Sequence, residues 1–176
     1  MKRTSIDFQD FMVQAHSLWS RQWLVLTCGD FAAGDFNSMT VGWGSLGVMW
    51  NLPFAMVVVR PGRYTHGFME RYDTFTLCAL GKEHREALKI LGSTSGRDSD
   101  KIAMAGLTPI ASSRVAAPGF AEAQLILELK KMYWDDLEPG QFLDPSIEKQ
   151  YPQKDYHRMY FGEILAISGT DSYSII

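Results

Sequence analysis

Three segments of the sequence combine residue types that could hold a planar, anionic ligand. Asn37-Ser38-Met39-Thr40-Val41-Gly42-Trp43-Gly44 mixes small and hydroxyl side chains with glycines. Such a stretch leaves backbone N–H groups open to a ligand and removes the side chains that would block it. A bulged strand in a barrel core has the same composition. Arg60-Pro61-Gly62-Arg63-Tyr64-Thr65 places two arginines and a hydroxyl at a sharp turn after an apolar run. Cationic donors on a rigid scaffold are what phosphate binding needs; two solvated arginines at a strand end read the same way. Ser93-Thr94-Ser95-Gly96-Arg97-Asp98-Ser99-Asp100-Lys101 gathers hydroxyls, a glycine and two cations between two helical patterns. Successive N–H groups near a helix N-terminus favour negative charge. Asp98 and Asp100 oppose that effect, or serve as caps.

The remaining chemistry-bearing residues form no reactive set. His16, His66 and His84 have no partner at ligand spacing, and no nucleophile–base pair or catalytic carboxylate pair stands out. The two cysteines, Cys28 and Cys78, are far apart and read as buried reduced thiols on strands. No metal site is expected.

The elements that must position the three segments follow from periodicity. Trp23–Cys28, Phe54–Arg60 and Thr74–Leu80 read as strands, the last by its alternation and its stop at Gly81. Met39–Trp50 reads as an irregular strand after a turn or loop at Gly34–Ser38. Ala123–Trp134 is the longest strand candidate, with Leu125, Leu127 and Leu129 on one face. Tyr156–Ser168 is the last. One or two helical turns are expected over Thr65–Arg71, and helices over Lys82–Leu91 up to Gly92 and over Asp100–Ala105 with Ser99 as N-cap. Residues 5–18 place Ile6, Phe8, Phe11, Met12, Ala15 and Leu18 at near-helical spacing, so residues 1–20 are expected to be a helical extension. Residues 135–155 read as a long loop. Turn-separated strands with inserted helices indicate a mainly antiparallel barrel in one domain, 1–176. Alternating βαβ units and a GxGxxG after a strand are both missing, which argues against a Rossmann dinucleotide site.

Bulk composition narrows the partners. The 176 residues carry a formal net charge of -3, with 46% hydrophobic and 21% charged residues. That is ordinary for a globular chain and gives no electrostatic footprint for nucleic acid. No stretch approaches the roughly 20 apolar residues of a membrane helix, and Asp7, Gln9 and Asp10 interrupt any leader-like start. A cytoplasmic, membrane-free protein is expected.

Taken in order, Asn-x-Met-Thr-x-x-Trp (37–43), Arg-Pro-x-Arg-Tyr-Thr (60–65) and Ser-Gly-Arg-Asp-x-Asp-Lys (95–101) resemble the signature of the flavin reductase-like family, in particular its flavoredoxin-like branch. Asp155–Ile164 adds a stretch similar to the family's His-x-x-x-x-Gly-Glu-Ile strand, with His157 in it. The resemblance runs from about Trp23 to Ile167. It implies an FMN-binding split β-barrel of Greek-key type, usually a homodimer with FMN near the interface. Carried over residue by residue, Asn37, Ser38, Met39, Thr40 and Trp43 would line the flavin ring and ribityl chain. Arg63, Tyr64 and Thr65 would lie near the phosphate, and Ser95, Gly96 and Lys101 would complete its cradle. His157 would contact flavin, nicotinamide or the second subunit, or would be a hydrogen-bonded histidine at the barrel rim. His66-Gly67 departs from the bulkier or acidic residues expected there. The implied activity is an NAD(P)H-dependent flavin reductase or a flavoredoxin-type relay from bound FMN to a monooxygenase or redox partner. A non-enzymatic FMN carrier or store is the alternative, and a barrel that has lost its cofactor is a third.

Overall fold

The computed structural model describes residues 2–175. β2 (Leu24–Asp30) turns back antiparallel onto β3 (Asp35–Val41), the turn closing at Gly34, whose φ of +67° suits a residue without a Cβ. Asp35–Ser38 therefore opens a strand where a loop was expected. β3 stops at Val41, and β4 (Gly44–Met49) starts only two residues later. β4 forms a hairpin with β5 (Leu52–Val59) through Trp50 and Asn51, at φ +53° and +60°. Two positive-φ residues are the mark of a tight type I′ turn. The irregular strand read over Met39–Trp50 is thus the end of one strand, a corner and the start of another.

The main sheet runs β3-β2-β6-β9-β10-β5-β4, with β6 (Thr74–Leu80), β9 (Ala123–Asp136) and β10 (Arg158–Gly169). Its pairings are antiparallel throughout. The two ends of that path, β3 and β4, are joined by Gly42 and Trp43 alone, so the sheet must curl back on itself. β1 (Thr4–Ser5) pairs with Ser168 and Gly169 of β10, and β7 (Pro109–Ile110) forms a small separate ribbon with β8 (Gly119–Phe120).

Alternation along the strands divides the core in two. Leu24, Leu26 and Cys28 on β2, Phe75 and Leu77 on β6, and Leu125, Leu127 and Leu129 on β9 fill the barrel. Each fully buried leucine or phenylalanine contributes roughly 1.5–3 kcal/mol. Val25, Cys78, Leu80 and Ile126 face outward into a second layer, against α3 (Arg85–Ser93) and the loop after it. Both thiols are buried, and burial pushes each up to about 12, so they sit as neutral apolar groups.

Two further helices bear on the site. α2 (Tyr64–Arg71) follows β5 across the turn at 60–63, and α4 (Lys101–Met104) follows the 94–100 loop. α4 begins one residue later than expected. Asp100 is its N-cap, accepting from Ala103 N at 3.0 Å, in place of Ser99. The helical extension expected over residues 1–20 is not formed among the described residues. Only α1 (Ala15–Ser17) and a π-type turn at Leu18–Gln22 are helical. Ile6 is instead buried against the barrel, with its N–H donating to Ile167 O at 3.0 Å. Pairing with the sheet edge outweighs a modest helical preference. Of the loop expected over 135–155, Asp135 and Asp136 extend β9, and the rest is loop with two 3₁₀ turns, Pro139–Gln141 and Pro145–Gln150. Among the described residues no helix is long and apolar enough to cross a membrane, and no group of acids, histidines and cysteines converges as a metal site.

Candidate functional site

A cleft of about 540 Å³ opens where the β3–β4 corner faces α3 and the residue before β10. Met39, Thr40, Gly42 and Trp43 line one side; Leu88, Lys89, Gly92 and Ser93 of α3 line another; Val58, Arg60 and His157 close the end. Trp43 lies in the two-residue corner between β3 and β4, and its indole is left half in solvent, 49% exposed. Its ring lies 5.2 Å from that of His157, tilted by 51°. A large exposed aromatic on a cleft wall offers a stacking face for a planar ligand. Thr40 is held by donating its hydroxyl proton to Leu88 O at 2.6 Å, which ties β3 to α3. His157 is buried beside Arg60, and both effects push its imidazole down to about 4, so it is neutral near pH 7.

Beyond Gly92 the site becomes cationic. Arg63 donates to Gly92 O at 2.5 Å, and Lys101 donates to Thr94 O at 3.2 Å and Leu91 O at 3.4 Å. Both cations therefore converge on the last carbonyls of α3. Neither has a carboxylate partner among the described residues. Lys101 is only 3% exposed, and burial followed by the charge of Arg63 lowers its ammonium to about 8. Burial, then Arg60, lowers Arg63 as well.

The magnitudes decide what such a corner accepts. A helix C-terminus carries about half a negative charge, against two full cations. The N-terminus of α2 adds positive character. Arg63 is its N-cap residue, no side chain caps it, and its first turn holds no acid. A cation at that end is unfavourable unless an anion sits between them. Ser99 Oγ is buried in the 94–100 loop without a hydrogen-bond partner. Unpaired charge, an uncapped helix and an idle hydroxyl fit a phosphate-sized anion.

The sequence-derived candidates separate into three groups. Met39, Thr40, Trp43 and His157 line the cleft, and Arg63 and Lys101 form the cationic corner. Asn37, Thr65, Gly96, Tyr64 and Ser95 build the frame beneath it. Asn37 Nδ2 donates to Thr65 Oγ1 at 2.6 Å, both buried. Gly96 lies so close over Asn37 Oδ1 that a Cβ would collide with it. Arg97 covers the Tyr64 ring at 4.9 Å, and its N–H donates to Ser95 Oγ at 3.2 Å. Ser38 stands apart. Its hydroxyl is fully buried and paired with Thr27 Oγ1 at 2.8 Å, so its side chain is a core group. Trp23, Val58, Arg60, Leu88 and Lys89 line the cleft without having been singled out as site residues. Only Arg60 had a signal, its place in the Arg-Pro-x-Arg turn.

Comparison with known structures supports the same architecture. An FMN-binding domain of a flavin reductases-like enzyme from Shewanella baltica matches with a TM-score of 0.69 at 16% identity, covering 96% of this chain and 77% of that one. Flavoredoxin of Desulfovibrio vulgaris matches at 0.66 and 20% identity, over 92% and 75%. The NADH:FAD oxidoreductase of Streptomyces globisporus, solved in complex with NAD and FAD fragments, matches at 0.64 and 16%, over 87% and 77%. These likenesses establish the fold, a split barrel. No curated protein matches the chain in sequence. The family model described as flavin reductase like domain matches residues 17–172, nearly the whole of the barrel and its inserted helices, and the chain belongs to that family.

Proposed function

We propose that the chain binds FMN in this cleft and works as an oxidoreductase, taking electrons from NADH or NADPH or relaying them flavoredoxin-fashion to a partner. The observation that carries this reading is the pair Arg63 and Lys101, two half-buried or buried cations without an acid among the described residues, held against the end of α3 whose Gly92 lines a cleft walled by an exposed tryptophan. Family membership and the flavoredoxin and NADH:FAD oxidoreductase likenesses support it.

In this reading Trp43, Thr40 and Met39 hold the ring and ribityl portions. Arg63, Lys101 and the Ser95–Ser99 turn hold the phosphate. FMN held there would supply hydride acceptance and one- or two-electron transfer. The protein's part is to bind, orient and tune. Burial makes the Lys101 ammonium easier to neutralise, and a phosphate beside it would favour the charged form again. His157 offers a neutral imidazole at the cleft end, and the cationic turn at 60–63 would favour negative charge on a ring bound beside it. Nothing in this chemistry requires a protein nucleophile or acid–base pair.

The β4–β5 hairpin supports a homodimer. Val48 and Trp50 are 68% and 57% exposed there, and Phe8 and Met12 flank an apolar groove beside it. Contiguous apolar surface of this kind marks interaction sites. A single domain, a cytoplasmic setting and a monooxygenase or redox partner belong to the same proposal. The test is an absorption spectrum of purified protein, then anaerobic addition of each nicotinamide. A yellow protein bleached by one of them is expected. A yellow protein that neither NADH nor NADPH bleaches is a carrier, and a colourless one that does not quench FMN fluorescence ends the proposal.

A further inference from the structure

Tyr151 lies outside the cleft lining, in the irregular segment before β10, yet it is one of the most buried residues of that segment, 3% exposed. Its ring is fixed on every side described: stacked on Phe142 at 6.0 Å and 18°, tilted against Tyr156 at 5.0 Å, and covered by the Arg60 guanidinium at 4.9 Å. Arg60 is itself tied down by Asp155 at 2.7 Å and Gln150 O at 2.8 Å. The Tyr151 hydroxyl has one partner among the described residues, Nδ1 of His157, at 2.8 Å. His157 is 9% exposed and faces the cleft beside Trp43.

A proton inventory of this pair has few solutions. If Nδ1–H donated to the tyrosine, the phenolic proton would need a second acceptor, and the described residues supply none. If Tyr151 donates to Nδ1, both groups are satisfied and the one remaining ring proton sits on Nε2. Buried donors left unpaired are rare and costly. An imidazolium would also make both ring nitrogens donors, but burial disfavours that form, and the Arg60 charge opposes it further. Arg60 faces the pair, and Asp155, the one acid beside it, is already engaged by Arg60.

We infer that Tyr151 is a positioning residue that locks His157 as the Nε2–H tautomer, making the Trp43 end of the cleft a fixed, uncharged hydrogen-bond donor for a carbonyl oxygen on a planar ring. The inference rests on the flavin reading for its ligand. The carbonyl belongs either to the flavin's pyrimidine ring or to a nicotinamide carboxamide, which share this acceptor chemistry. In this arrangement His157 recognises and orients a ring; it does not deliver a proton to it.

Two-bond proton–nitrogen spectra of histidine-labelled full-length protein at neutral pH test the tautomer directly, with His157→Gln assigning the signal. The expected result is a single Nε2–H form that becomes a mixture in Tyr151→Phe, which keeps the ring and its packing. An Nδ1–H form in the unaltered protein, or the same populations in Tyr151→Phe, overturns the inference. Ligand measurements then read the donor. A glutamine amide can take the place of Nε2–H, so His157→Gln should hold binding within about threefold while His157→Ala loses about tenfold. Loss in the Kd for FMN identifies the flavin carbonyl. Loss in KM for the nicotinamide, with kcat kept, identifies the carboxamide. No loss in either sinks the donor role. If the unaltered protein binds no FMN, the flavin reading fails while the spectra still decide the tautomer.

Discussion

The two ends of α2 treat positive charge in opposite ways. At its last turn Glu70 accepts from Arg158 at 2.8 Å and from the Tyr160 hydroxyl at 2.5 Å. Arg158 also makes two 2.7 Å bonds to Asp136 and lies 3.8 Å over the Trp134 ring. Arg158 holds Asp136 below the usual carboxylate range, and Asp136 with Glu70 raises the guanidinium in return. At the first turn Arg63 and Lys101 have only carbonyls. A paired cluster such as the first is complete in itself and reads as structure. An unpaired buried charge costs stability and is kept only where something else completes it.

Substitutions at the two ends should therefore have opposite signatures. Lys101→Met is expected to weaken FMN binding about 100-fold, about 2.7 kcal/mol, while leaving the melting temperature unchanged or higher, since a buried unpaired charge is removed. Fluorescence quenching and thermal unfolding measure the two. Glu70→Ala is expected to do the reverse. It strips the buried Tyr160 hydroxyl of its acceptor, for a loss of about 2 kcal/mol of stability in denaturant unfolding, with the FMN affinity kept. If Lys101→Met unfolds the protein and Glu70→Ala abolishes binding, the contrast between the two ends is wrong.

The pH dependence of binding gives a finer contrast. Lys101 is lowered to about 8 from an ordinary value of 10.5. The folded apo protein thus gives up this proton more easily than the unfolded chain. Its stability cost is fully present below pH 8 and is relieved as pH rises from there toward 10.5. A phosphate favours the charged form and reverses that preference. FMN should accordingly bind best below pH 8, with affinity falling by up to about tenfold per pH unit above it. Lys101→Met should flatten that slope. A slope that survives the substitution assigns the titration to another group.

Legibility in the sequence followed the kind of force at work. Where alternation and burial agree, as in Thr74–Leu80 and in Leu125, Leu127 and Leu129, the strand and its inward face could be read directly. Asn37 and Ser38 misled because short polar residues favour turns. Here they are buried, each satisfied by a hydroxyl from another element, Thr65 and Thr27. Residues 5–18 misled because their apolar spacing is helical while their backbone pairs with an edge that only the fold creates. Arg63 and Lys101 were legible as cations in motifs. That no acid would meet them was not, because sequence distance does not decide pairing: Glu70 stands in the same helix that Arg63 caps, yet pairs with Arg158, 88 residues away. Tyr151 carried no signal, since its partner is a matter of how one irregular loop folds.

Ser99 offers the smallest and sharpest form of the comparison. Its hydroxyl is buried without a partner, whereas the buried Tyr160 hydroxyl at the paired end is satisfied. A hydroxyl that waits for a phosphate oxygen and one stranded by packing respond differently to Ser99→Ala. In the first case FMN affinity should fall about threefold, under 1 kcal/mol, and apo stability should hold or rise slightly because an unsatisfied group is gone. In the second case the stability gain appears alone. Paired titration and unfolding of the one variant separate them. An unchanged Kd would remove Ser99 from the anion site while leaving Arg63 and Lys101 to hold it.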